Sequence, residues 1–119
     1  MKRNSVILIP ALNPDKELIQ YIQELKRNGF DDIIVVNDGS SAEYLDIFER
    51  AKQMDCKVLQ HAVNLGKGRA LKNGFNEFLN LYQDNPDILG IITVDSDGQH
   101  AVKAVSYTHL RAHETGRNL

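Results

Sequence analysis

An α/β domain built on a parallel sheet is what this sequence predicts, on three observations. Short apolar runs rich in β-branched residues recur three times, with the shorter Val58-Leu59 between the second and the last, and the last is nearly continuous, as a strand covered on both faces requires. Segments with apolar residues at helical spacing separate them. The polar and glycine-rich clusters follow the strands, so all of them fall on one rim of the sheet. The order β-α-β-α-β-α-β implies parallel strands joined by right-handed crossovers. In open sheets of this kind, ligands bind beyond the carboxyl ends of the strands, near the point where the strand order reverses.

Ser5-Val6-Ile7-Leu8-Ile9 is the first strand, and Pro10 ends it. Asn13-Pro14 reads as a helix N-cap with proline at the first helical position, and Asp15 and Glu17 suit the helix dipole. Leu18, Ile22 and Leu25 follow at helical spacing, and Asn28-Gly29 closes the helix. Ile33-Ile34-Val35-Val36 is the second strand and runs into Asn37-Asp38-Gly39-Ser40. Ser40 with Glu43 fits a capping box, and the helix behind it turns Leu45, Phe48 and Ala51 inward. Cys56, expected to be small and partly buried, introduces the third strand, Lys57-Val58-Leu59-Gln60. His61 reads as a polar loop residue, and the loop continues to Gly66. Leu71, Phe75, Phe78 and Tyr82 share one stripe of the third helix. Asn85-Pro86 breaks the chain before the fourth strand, Ile88 to Val94.

With 119 residues there is room for one domain, and 42% hydrophobic with 25% charged residues is ordinary globular composition. The net charge of -2 provides no basic footprint for nucleic acid. No apolar run approaches the roughly 20 residues that span a bilayer. The single Cys56 cannot form an internal disulfide, which fits a reducing, cytoplasmic setting.

The fourth strand ends in Asp95-Ser96-Asp97-Gly98-Gln99-His100. In extended chain Asp95 and Asp97 point the same way, so they can converge on one cation. The alternative is a solvated Asp-Gly turn. The loop fails as an EF-hand, because its glycine comes too early and Ser106 stands where the bidentate Glu belongs. Carboxylate oxygens suit Mg²⁺ or Mn²⁺ better than Zn²⁺. Gly66-Lys67-Gly68-Arg69 opens the third helix, where glycines let the backbone approach a ligand and a helix N-terminus attracts phosphate. It is not a P-loop, and no Gly-x-Gly-x-x-Gly follows the first strand. Asp38, at a strand end on the same rim, can accept hydrogen bonds from a ribose or a base, or simply end the strand in a turn. His109 and His113 have helical ligand spacing but no third partner, and His100 alone is weak.

Together these motifs resemble family 2 glycosyltransferases of the Rossmann-like GT-A fold. Ile9-Pro10-Ala11-Leu12-Asn13-Pro14 is similar to the family's opening motif, and Val35-Val36-Asn37-Asp38-Gly39-Ser40 to its second. Asn64-Leu65-Gly66-Lys67-Gly68-Arg69-Ala70 looks like the third. Asp95-Ser96-Asp97-Gly98-Gln99-His100 looks like the Asp-x-Asp metal motif of polyprenyl- and dolichyl-phosphate sugar transferases. The resemblance implies an inverting transferase that takes a nucleotide-diphosphate sugar, UDP- or GDP-linked, and Mg²⁺ or Mn²⁺. It implies that Pro10, Ala11 and Asn13 border the nucleoside, that Asp38 meets the base or ribose, and that Lys67 lies near the nucleotide. Asp95 would meet the ribose or a metal-bound water, and Asp97 would hold the metal, with Gln99 beside it. The acceptor it implies is a polyprenyl phosphate or a glycan, met at the cytoplasmic membrane face by the full-length parent. Leu12, Pro14 and Asn37 depart from the usual Tyr, Glu and Asp.

The resemblance also sets the expected domain: residues 1–104 are the N-terminal nucleotide-sugar-binding part of a truncated family domain. The half carrying the acceptor site and the catalytic base is expected to be missing, so the fragment would be inactive. Residues 105–119 read as a non-native tail without apolar period. A fourth strand without its next neighbour would leave the fragment poorly stable. Two other functions compete with this one. A sugar nucleotidyltransferase would carry a glycine- and arginine-rich loop after the first strand, and Pro10 to Pro14 lacks one. A flavodoxin-like binding module without catalysis would want an acidic pair in that place.

Overall fold

In a computed structural model, residues 3–96 are described in full and residues 101–106 by their backbone. The chain runs β1 (Ser5–Ala11), α1 (Glu17–Arg27), β2 (Ile33–Asn37), a 3-10 turn (Ala42–Tyr44), α2 (Leu45–Gln53), β3 (Lys57–Gln60), α3 (Lys67–Tyr82), β4 (Gly90–Val94) and β5 (Ala101–Ser106). The strands form one sheet in the order β3-β2-β1-β4-β5. β1, β2, β3 and β4 are parallel, with Ile7 opposite Ile33 and Ile92, and Val35 opposite Val58. The chain winds outward from β1 through β2 to β3, then crosses back to place β4 on the other side of β1. That reversal puts the switch point between β1 and β4, where a crevice opens at their carboxyl ends.

The continuous apolar runs are explained by cover on both faces. Ile7, Ile9, Ile33 and Val35 pack with Leu18 and Ile22 of α1 and Phe48 and Ala51 of α2. Their neighbours Val6, Leu8, Ile34 and Val36 face the other way, against Ala70 and Phe78 of α3. Alternation along each strand thus feeds two cores. Helix α3 lies close on β1: a Cβ added at Gly74 would run into the methyl groups of Leu8. The deeply buried line of α3 is Ala70, Gly74 and Phe78. Leu71, Phe75 and Tyr82 flank it, half-buried against the same core, because the small residues let the helix axis settle between them.

Several local expectations are corrected. Helix α1 begins at Glu17, not at Pro14, and Asn13 is not its cap. Asp15 Oδ1 instead accepts the Glu17 N–H at 2.9 Å. No capping box forms at Ser40, since its hydroxyl is taken by another loop and a 3-10 turn intervenes before α2. That turn delays α2 to Leu45, whose side chain stays exposed. His61 is buried rather than a solvated loop residue, and Cys56 is buried rather than partly so. Burial pushes the Cys56 thiol up to about 11, against a smaller opposing pull from Lys26. Strand β4 starts at Gly90, although Ile88 before it is already buried.

The sheet also continues further than expected. β5 pairs antiparallel with β4, Ile92 opposite Ala104, with a register shift between Thr93 and Val94. Strand β4 therefore has the neighbour it was expected to lack. The expected boundary between residues 104 and 105 falls inside β5. Residues 107–119 lie outside the described residues.

Candidate functional site

The loops that follow β1, β2, β3 and β4 converge on one cavity of about 420 Å³. Pro10 and Ala11 at the end of β1, which runs one residue past the expected stop at Pro10, line it with Leu12, Asp38 follows β2, Asn64 and Gly66 precede Lys67 at the start of α3, and Asp95 and Ser96 follow β4. This is the crevice that the strand order creates.

Hydrogen bonds between neighbouring loops shape it. The Asp38 N–H donates to the Ala11 carbonyl at 2.9 Å and the His61 N–H to the Asn37 carbonyl at 2.9 Å, extending the sheet pattern past the strand ends. Asn13 takes a left-handed conformation with φ 48°. Its N–H donates to Ser40 Oγ at 2.8 Å, and its Oδ1 accepts the Ser41 N–H at 3.0 Å. Asn37 is buried and its Oδ1 accepts the Ser40 N–H at 2.9 Å. Gly39 has φ 75°, and a Cβ there would collide with the backbone of Val63 and Asn64. Only glycine allows the β2 turn and the β3 loop to touch in this way.

Asp38 is the hub. It is 4% exposed. Oδ1 accepts the Leu65 N–H at 2.9 Å and faces His61 Nδ1 at 2.8 Å, while Oδ2 accepts the Gly66 N–H at 3.0 Å. His61 Nε2 in turn faces Asn73 Nδ2 of α3 at 2.8 Å. Burial works to raise the Asp38 pKa, but the Leu65 N–H, the His61 ring and the Gly66 N–H together outweigh it. The carboxyl is held below its ordinary range. The Gly66 N–H is shared with Asn64 Oδ1 at 2.9 Å, and Gly66 itself, φ 98°, is the N-cap of α3. Lys67, the first residue of that helix, reaches across the cavity mouth to Asp95 Oδ1 at 2.9 Å. Both side chains are partly solvated, so the pair contributes little to stability.

Of the residues expected from sequence, Pro10, Ala11, Asp38, Lys67 and Asp95 line the cavity. Asn13 does not line it; it ties the first two loops together. Asp97 and Gln99 lie outside the described residues, as do His100, His109 and His113. Among the described residues, no group of three His, Cys, Asp or Glu could hold a metal ion. Asp95 fits a hard cation as one oxygen donor on the cavity wall, and it already holds a cationic group, the Lys67 ammonium. Sequence reasoning did not single out Leu12, Asn64 and Ser96 as lining residues, though each sits within a motif it had marked. His61 and Asn73 were missed as functional, and their twelve-residue separation carries no sequence signal. No helix among the described residues is long and apolar enough to cross a membrane.

Comparison with known proteins bears on the family and the fold. The sequence model described as glycosyl transferase family 2 matches residues 6–117. An uncharacterised protein of Methanocaldococcus jannaschii is 39% identical over 99 residues, which cover 83% of this chain and 37% of that protein. A UDP-N-acetylglucosamine–dolichyl-phosphate N-acetylglucosaminyltransferase of Methanococcus voltae is 30% identical over 109 residues, 80% of this chain and 41% of that protein. The chain thus spans well under half the length of these curated relatives. Among solved structures, 4-diphosphocytidyl-2C-methyl-D-erythritol synthase superposes with a TM-score of 0.56 at 16% identity, over 81% of this chain and 47% of that one. At that identity the likeness concerns the fold alone.

Proposed function

The chain belongs to glycosyl transferase family 2, and from that premise we propose that the cavity is the donor half of a glycosyltransferase site. It takes a nucleotide-diphosphate sugar, with the nucleoside against Pro10, Ala11 and Asp38. The diphosphate lies toward Lys67 and the N-terminus of α3. The observation that carries this reading is the convergence of four loops on one cavity that presents a lysine at a helix N-terminus opposite an aspartate. Helix N-terminal N–H groups and an ammonium attract diphosphate oxygens.

Asp95, with Asp97 two positions later in the sequence, would hold a Mg²⁺ or Mn²⁺ ion, with Gln99 as a further oxygen donor. Bound there, such an ion neutralises the negative charge that grows on a departing nucleoside diphosphate. The residues of this chain bind and orient. Lys67 counters phosphate charge, the Asn64 to Lys67 loop frames the diphosphate, and Pro10 and Ala11 set the depth of the nucleoside pocket. Transfer with inversion needs a base and an acceptor site, which we assign to the part of the parent protein beyond this chain. A lipid-linked acceptor such as a polyprenyl phosphate is supported by the dolichyl-phosphate named for the Methanococcus voltae relative, and UDP by the same name. The parent then works at a membrane surface. The donor-binding part is inactive in transfer without the remainder. The nucleotidyltransferase alternative draws only a shared fold from its structural neighbour.

Thermal unfolding with UDP and GDP, each with and without Mn²⁺, tests the reading. A ligand at a hundred times its dissociation constant adds about 2.7 kcal/mol of stability. A metal-dependent rise in Tm with one nucleoside diphosphate is expected. No shift with either, in a sample that melts cooperatively, would sink the donor-site reading.

A further inference from the structure

We propose that His61 is a positioning residue of this cavity, acting through Asp38 on the wall of a cavity it does not itself line. The argument begins with the cost of a buried carboxylate. Asp38 is almost fully buried, and an ionised carboxyl in that position must be satisfied by donors. It has three: the Leu65 N–H, the Gly66 N–H and the His61 ring. Two of these belong to the loop whose Asn64, Gly66 and Lys67 form the cavity wall. The direction of the carboxylate therefore sets the shape of that wall.

His61 sets the direction of the carboxylate. Its Nε2 faces the amide Nδ2 of Asn73, which is a donor only. The Asp38 carboxylate can only accept, so Nδ1 carries a ring proton aimed at Oδ1, and Nε2 is left as the acceptor toward Asn73. Nε2 is held by a residue on α3, and α3 is itself fixed against β1 by the close approach of Gly74 to Leu8. Position passes from the helix to Asn73, to His61, to Asp38, and then to the Leu65 and Gly66 amides at the start of the same helix. Second-layer partners of this kind hold binding groups in place without touching the ligand.

The inference rests on the donor-site reading only for what the loop binds, so its test has an arm that needs no ligand. In the full 119-residue chain, labelled with ¹⁵N, long-range proton–nitrogen correlation should place the His61 proton on Nδ1 at neutral pH. His61→Leu should speed hydrogen exchange at the Leu65 and Gly66 amides by roughly tenfold or more relative to amides of β1 and β2, as expected when one buried hydrogen bond is lost. Asn73→Leu, which leaves Asp38 and the loop untouched, should move the same two amides in the same direction. His61→Asn places an amide donor where Nδ1 was and should restore slow exchange.

In the second arm, the dissociation constant of the nucleoside diphosphate with Mn²⁺ should rise roughly tenfold in His61→Leu and recover in His61→Asn. A ring proton on Nε2, or Leu65 and Gly66 amides unmoved in both leucine variants, would overturn the proposal. So would a loosened loop with unchanged nucleotide affinity. Failure of the unmodified chain to bind any nucleotide would instead overturn the donor reading, and the exchange arm would still decide the role of His61.

Discussion

At the scale of single residues, Asp38 couples the cavity to pH. Its carboxyl sits below the ordinary range in the fold, despite burial, because of the Leu65, His61 and Gly66 donors. An acid whose pKa falls on folding contributes stability above its unfolded value, near 3.9, and that contribution is lost as pH drops through the folded value. We therefore expect the Tm to fall steeply below pH ~4, whereas Asp38→Asn melts lower at neutral pH, by about 2 kcal/mol, with a flatter acid limb. Gly39 gives a second residue-scale prediction. An alanine there must take φ 75° and push its Cβ into the Val63 and Asn64 backbone. Strain of this kind costs about 1–3 kcal/mol before any displacement of the β3 loop, so chemical denaturation of Gly39→Ala should report at least that loss. The sequence marked Asp38 as a ligand contact but not as the hub of a loop. Its position at a strand end is a local fact, legible from the apolar run before it. Its partners Leu65 and Gly66 are 27 and 28 residues away and leave no periodic trace.

At the scale of elements, every helix and the four parallel strands were legible, because each rests on periodicity within its own segment. The helix starts were not. Asn13 and Ser40 both have strong local capping chemistry, and both are taken between loops instead: Ser40 Oγ accepts the Asn13 N–H and Asn13 Oδ1 accepts the Ser41 N–H. A tertiary hydrogen bond outweighed two local preferences of about 1 kcal/mol each. The buried line of α3 was displaced by one residue for a related reason. Apolar size suggested Leu71 and Phe75, while the sheet selected the small Ala70 and Gly74. Gly74→Ala tests that selection. Helix propensity alone favours alanine by up to about 1 kcal/mol. Contact with Leu8 opposes it, because Leu8 is fully buried and cannot swing away. Overpacking of this type costs about 1–3 kcal/mol, so a net loss of Tm is expected. Adding Leu8→Val should recover part of it, a coupling that a double-mutant cycle would measure.

At the scale of the whole molecule, the hydrogen bonds between the β1 and β2 loops and between the β2 and β3 loops join residues 23 to 28 positions apart. Each therefore bridges one complete strand–helix unit. None can form until the strands beneath it have paired, since the entropy of closing so long a loop must first be met by the sheet. We therefore expect the cavity rim to assemble after the main barrier to folding has been crossed. Ser40→Ala is expected to cost about 1 kcal/mol, nearly all of it as faster unfolding with an almost unchanged folding rate, which stopped-flow kinetics in denaturant would resolve. The clasp between Asn13, Ser40 and Ser41 consequently acts on lifetime more than on assembly. A ligand that spans these loops is a kinetic latch: it lengthens the survival of the folded chain in inverse proportion to the fraction left unliganded and leaves the speed of its formation alone.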